Sequence, residues 1–373
     1  MGASIRLGRI FGIPIIINFS WVFIFFLVTY TLSAQFGDSY PRWNLIQQWA
    51  TAGATSLLFF TSVLAHELSH SLLAVRKGIP VRGITLFIFG GVSHLAHEAR
   101  RPMTEFLVAV VGPASSLLLG LLFFAASRVL QDVSETLAAI CIVLSPINFM
   151  LGIFNMLPGF PLDGGRVLRA AVWGITGSYW RGTQIAARAG QAIGGLMVAG
   201  GIAWLLFAPE VRFQGLWFAL IGAFLFSAAT TSYRQEQIRE NLKNYTVADV
   251  MRTGWNVLPG ETLAGSPAVA QALAGREEFV AVLTGDRIGG IFTRRQLARL
   301  PAATAAQIPL GMAMTPLSAM PKVSPEEPMF GIIERLEAEN MDRLAVVRDD
   351  ALLGLVSRED VMRWLQRGPQ RAS

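Results

Sequence analysis

Cysteine is nearly absent: the 373-residue chain has one, Cys141. A single thiol allows no intrachain disulfide and no cysteine-based metal cluster, and Cys141 sits in an apolar run where it reads as a small core residue. Charge is scarce as well. Only 15% of residues are charged against 53% hydrophobic, and a mean hydropathy of +0.47 describes an integral membrane protein. The net charge of +6 would suit a nucleic-acid partner, but its distribution excludes one. Residues 1–232 hold 14 Lys and Arg against 8 Asp and Glu, and residues 233–373 hold 17 against 17. The whole excess lies among the apolar segments, where it is a topology signal.

Long apolar runs are what the chain has. Spans are expected at 15–32, 53–75, 106–130, 137–157, 189–208 and 213–231, with a polar loop over 34–48. Basic residues precede the first run, but no small-residue cleavage pattern follows, so it reads as an uncleaved span. Six spans put both termini on one side. With that side inside, inner segments carry eleven basic residues and outer loops three, Arg42, Arg128 and Arg212, which predicts cytoplasmic termini in a multi-pass membrane protein; a bacterial or archaeal cell membrane is the expected location. Arg100 and Arg101 read as an interfacial anchor. Residues 81–93 are too short and too rich in Gly and β-branched residues for a spanning helix; they predict a β-hairpin at the membrane boundary.

Within the second run stands His66-Glu67-Leu68-Ser69-His70. Positions i and i+4 share a helix face, so His66 and His70 can offer two imidazole nitrogens to one metal ion with Glu67 beside it, the layout of a zinc hydrolase. The bland alternative is two histidines satisfying one another in a helical bundle. Ionisable groups at membrane depth are costly and point to function. A catalytic zinc takes three protein ligands and keeps one position open. Asp163 is the candidate third ligand, in the Pro- and Gly-broken stretch after the fourth span; an ordinary inter-helix turn is the competing account. With such a site, Glu67 would move the water's proton to the departing amine. Asn155 either donates to a substrate carbonyl or closes its own helix end. The hairpin edge could pair with an extended substrate strand, or be a plain amphipathic hairpin. His94 and His97, expected in a loop after the hairpin, read as solvated and stay outside the site.

After residue 232 the composition turns soluble. Residues 233–243 form a charged connector, and two similar units follow, each with short apolar strands, a Gly-bearing turn and a helix. An internal repeat of this kind predicts a paired α/β module. The domain plan is a core at 1–232, a linker at 233–245, and tandem units at 246–300 and 308–368.

The motif pair His66 to His70 and Asn155 to Arg166, with Phe89-Gly90-Gly91-Val92 and Gly112-Pro113, resembles the site-2 protease family of intramembrane zinc metalloproteases. The resemblance covers about residues 1–232. It implies a six-helix membrane core, Zn2+ on His66, His70 and Asp163, Glu67 as catalytic acid and base, Asn155 aiding substrate placement, and cleavage of transmembrane protein substrates in the lipid bilayer. The C-terminal repeat looks like a cystathionine-β-synthase-type (CBS) domain pair. That resemblance implies cytoplasmic regulation, a homodimer through the CBS domains, and an adenine nucleotide such as ATP, gripped through a Gly-x-x-Thr/Ser-x-x-Asp turn. The second unit keeps the turn as Gly354, Ser357 and Asp360; the first has Gly290 and Thr293 but Gln296 in place of the acid, and looks shortened around 267–277.

The expected fold is thus a polytopic α-helical membrane protein with a membrane-boundary β-hairpin, plus a cytosolic α/β CBS pair. A rival reading is a CBS-gated transporter or channel for a metal ion. Glu67 separates the two, because a hydrolase needs a base beside its nucleophilic water, whereas a transport path would spread ionisable groups along several spans.

Overall fold

A computed structural model describes residues 4–88, 90–207, 212–243, 245–274, 279–338, 343–349 and 351–367. Phe89 of the expected hairpin motif, Ala208 at the end of the expected fifth span, residues 275–277 of the shortened stretch and residue 368 lie outside them. The chain divides into two compact units, Met1–Gln237 and Ile238–Ser373.

The first unit opens with strands β1 (Ser4–Ile10) and β2 (Ile13–Asn18), followed by helices α1 (Phe19–Ser39) and α2 (Leu45–Arg76), strands β3 (Val81–Phe87) and β4 (Gly90–Leu95), and helices α3 (Pro102–Leu130), α4 (Glu135–Asn155), α5 (Asp163–Thr176), α6 (Tyr179–Phe207) and α7 (Arg212–Leu242). All but α5 are long and apolar enough to cross a membrane, six helices among the described residues. Their outer faces carry exposed Phe23, Phe26, Leu121, Leu122 and Leu196, the apolar surface that lipid requires.

The first span begins at Phe19, not at residue 15. Ile13, Ile15 and Ile17 alternate into the core with period two, which is strand burial. β2 pairs antiparallel with β1 and parallel with β3. The expected hairpin is β3 and β4, antiparallel, and forms two strands of a four-stranded sheet ordered β1-β2-β3-β4. Asn18 caps α1 by accepting the Ser20 N–H at 3.0 Å, and Asn44 caps α2 through Gln47 N–H at 2.8 Å. Much of the expected polar loop 34–48 is therefore helical. The charged connector is helical too, since α7 runs to Leu242, and α6 starts ten residues earlier than its apolar core. Polar residues there continue a helix that lipid does not need to cover.

The second unit contains β5 (Val257–Pro259), α8 (Pro267–Ala272), β6 (Phe279–Thr284), β7 (Arg287–Thr293), α9 (Arg294–Arg299), α10 (Ala302–Ala305), α11 (Leu310–Ala313), β8 (Thr315–Pro316), β9 (Lys322–Val323), α12 (Met329–Ala338), β10 (Arg343–Arg348), β11 (Ala351–Ser357) and α13 (Arg358–Arg367). The repeat is visible in the register: Phe279 faces Thr293 across β6 and β7 as Arg343 faces Ser357 across β10 and β11. The two sheets are ordered β5-β6-β7-β8 and β11-β10-β9. Their ends are exchanged. Val247 and Val250, at the start of the first repeat, pack with Leu344, Val346 and Val356 of the second, whereas Leu310 joins Val280, Val282 and Phe292 of the first.

Candidate metal centre

α2 carries His66 and His70 one turn apart, both 3% exposed. Asp163 arrives from the opposite direction as the first residue of α5, where the helix dipole favours a carboxylate. The segment before it is anchored to α6 by the Phe160 N–H on the Ala186 carbonyl at 3.0 Å. Asp163 Oδ2 lies 3.0 Å from His66 Nε2 and 3.1 Å from His70 Nε2, and the two Nε2 atoms are 3.2 Å apart. Among the described residues this is the one group of three His, Cys, Asp or Glu side chains able to share a metal. The sequence treats this stretch as broken chain; the structure instead makes Asp163 the start of a 14-residue helix.

The opposite face is supplied by α3. His70 Nδ1 donates to the Val108 carbonyl, and His66 Nδ1 meets Ser116 Oγ at 2.8 Å. A carbonyl only accepts, so His70 carries its proton on Nδ1 and turns the lone pair of Nε2 toward the Asp163 carboxylate. Electron-rich atoms converging at this separation need a positive charge between them.

Midway between Val108 and Ser116 lies Gly112. A Cβ on Gly112 would sit 2.2 Å from His70 Nε2 and 2.8 Å from His66 Nε2. Its missing side chain leaves room where the imidazoles converge. Two imidazoles and a carboxylate are a zinc donor set, and tetrahedral coordination at about 2.0–2.1 Å spaces donors by about 3.3–3.4 Å. The observed separations fit that ion closely.

Glu67 sits beside this cluster, with its Oε2 accepting from Ser93 Oγ of β4 at 2.8 Å. At the last turn of α4, Asn155 Nδ2 donates to the Leu151 carbonyl at 2.9 Å, the helix-end bond that was one of its two expected roles. One N–H of that amide remains for another acceptor. His94 lies within β4, not in a loop, and contacts Thr85 Oγ1 at 3.0 Å on the exposed side. In the second unit, Asp360 caps α13 by accepting Ser357 N–H at 3.1 Å and the Ser357 hydroxyl at 2.5 Å, with Arg252 Nε at 3.6 Å. In the first repeat of the same unit Gln296 makes the same cap with Thr293, at 2.8 Å to its N–H.

Residues the sequence did not single out hold the frame. Arg169 of α5, counted above only as an inner-side charge, donates its Nε to Glu105 Oε1 of α3 at 2.7 Å and stacks between Phe160 and Tyr179. Both charges are buried. Stranding either one would cost about 3–5 kcal/mol, so this pair holds α5, and with it Asp163, against α3.

The chain matches the family model "Peptidase family M50" over residues 54–141 and 131–198. "Putative zinc metalloprotease sll0528" of Synechocystis is 33% identical over 98% of this chain and 96% of its own length. This chain belongs to peptidase family M50. A second relative of this metalloprotease, "Putative zinc metalloprotease Rip3" of Mycobacterium tuberculosis, is 32% identical over 98% of this chain and 93% of its own. The solved "Site-2 Protease from Methanocaldococcus jannaschii" is 29% identical, with a TM-score of 0.44 over 62% of this chain and 95% of that one. Residues 312–367 match the CBS domain model. The protein is thus a multi-pass membrane metalloprotease of this family with a C-terminal CBS region. Zinc is its metal.

Proposed function

We propose that this metalloprotease is an intramembrane endopeptidase that cleaves transmembrane segments of membrane-protein substrates. The observation that carries the reading is the convergence of His66, His70 and Asp163 at 3.0–3.2 Å inside the six-helix unit. His66, His70 and Asp163 hold the zinc, which when bound acidifies water toward neutrality and polarises the scissile carbonyl. Glu67 accepts the proton of the attacking water and delivers it to the departing amide nitrogen. Asn155 uses the N–H that the Leu151 carbonyl leaves over to hold the substrate, a role that rests on the family resemblance.

A peptide bond in a helix is shielded by its own hydrogen bonds, so the substrate must be extended. β4 ends its sheet, and its outer edge can pair with such a strand. The eleven-to-three distribution of basic residues supports cytoplasmic termini and a cytoplasmic CBS region, with domains near 1–232 and 246–368.

The test uses the purified full chain in phospholipid vesicles with a labelled single-span peptide of about 20 apolar residues, carrying a helix-weakening Asn-Gly pair. The expected cut falls within the apolar segment, stops with a zinc chelator and returns with Zn2+. Cutting confined to the flanking polar residues ends the intramembrane reading.

The CBS region is proposed to regulate the protease by binding an adenine nucleotide through Gly354, Ser357 and Asp360, and to support a homodimer. The carboxylate of Asp360 in the second repeat and the amide of Gln296 in the first favour one nucleotide site per pair. Calorimetry of the full chain with ATP is expected to show one site, weakened by Asp360→Ala; absence of heat with the unmutated protein removes this regulation.

A further inference from the structure

Glu67 follows His66 by one residue, so its side chain leaves the α2 backbone about 100° away from the metal-binding face. The helix alone therefore does not aim its carboxylate at the reaction. A second element does. Along β4 the side chains alternate, and Gly91 and Ser93 face α2 while Val92 and His94 face outward. At Gly91 an added Cβ would lie 2.5 Å from Glu67 Cγ, so the strand backbone rests directly on the side chain of the base. Two residues on, Ser93 Oγ is 2.8 Å from Glu67 Oε2 and 3.2 Å from the Glu67 carbonyl.

The direction of these hydrogen bonds follows from counting protons. Ser71, buried one turn beyond Glu67 on α2, donates its hydroxyl to Ser93 Oγ at 3.0 Å. Ser93 accepts that proton and has one of its own to give. A carboxylate is the stronger and closer of its two acceptors. The Ser93 hydroxyl therefore points at Oε2, leaving Oε1 available for the proton in transit.

We infer that Ser93 is a positioning residue for catalysis, its hydroxyl, oriented by Ser71, holding the Glu67 carboxylate in line with the scissile bond. The inference rests on the protease reading above. It adds that the strand proposed to take the extended substrate also aims the base, so substrate and Glu67 share one backbone as their reference.

The experiment measures cleavage of the single-span peptide by the full chain in vesicles, with zinc content and thermal unfolding determined on each variant. Ser93→Ala is expected to lower kcat by about 10- to 100-fold, the scale of a misaimed catalytic group, with KM, zinc content and unfolding temperature unchanged. Ser93→Thr, which keeps the hydroxyl, is expected to recover most of the loss, and Ser71→Ala to lower kcat by less than Ser93→Ala. Unchanged kcat in Ser93→Ala beside an inactive Glu67→Gln overturns the inference and leaves the protease reading standing. A rise in KM alone, or a Thr variant no better than Ala, overturns it as well. If Ser93→Ala does not fold, Ser71→Ala decides, because it leaves β4 intact; unaltered kcat there counts against the inference. Wild-type cleavage by Glu67→Gln overturns the parent reading and this one together.

Discussion

Glu67→Gln is expected to lower kcat for the single-span peptide by about 10²- to 10⁴-fold, the contribution of a positioned general base, while zinc per chain stays at the wild-type value. Glutamine keeps the length and an acceptor oxygen for Ser93 but cannot take a proton from water. Neither His66, His70 nor Asp163 depends on the Glu67 carboxylate for its contacts. Elemental analysis and peptide cleavage on the same preparation separate the two effects. Cleavage at the wild-type rate with zinc retained would mean that another group handles the proton.

Gly112→Ala is expected to abolish both zinc binding and cleavage. Alanine is the better helix former, and in an ordinary helix interior the exchange would gain up to about 1 kcal/mol. Here the new Cβ would stand 2.2 Å from His70 Nε2 and 2.8 Å from His66 Nε2, in the space required by zinc–nitrogen bonds of about 2.0–2.1 Å. Circular dichroism should show undiminished helix while zinc falls from one per chain to near none. A variant that retains wild-type zinc would place the ion away from the three convergent donors.

Some of this architecture can be read from the chain because it depends on local periodicity. His66, Glu67 and His70 are close in sequence and share a helical turn, and each long apolar run announces a span. Asp163 was legible as chemistry, an acid beside broken helix, but not as structure. Pro158, Gly159, Pro161, Gly164 and Gly165 read as helix breakers, yet the last two lie in the first turn of α5. Ile13 to Ile17 misled in the opposite direction. A short β-branched apolar run suits a buried strand and a membrane helix alike, and only pairing with β1 and β3 decides. Ser93, Ser116, Val108 and the Glu105–Arg169 pair carry no local signal, since their partners lie many residues away. The exchanged ends of the CBS repeats likewise come from long-range packing.

Val108, Gly112 and Ser116 recur at intervals of four along α3, and between them they meet both imidazoles of α2. Turning α3 by a single residue, about 100°, would withdraw carbonyl, cavity and hydroxyl in one movement. Coordination and helix register are therefore thermodynamically linked: an ion bound only in this alignment stabilises the alignment by its own binding free energy. Chelation should thus loosen two membrane helices as well as stop turnover, making metal supply a determinant of how long the protein survives in the bilayer.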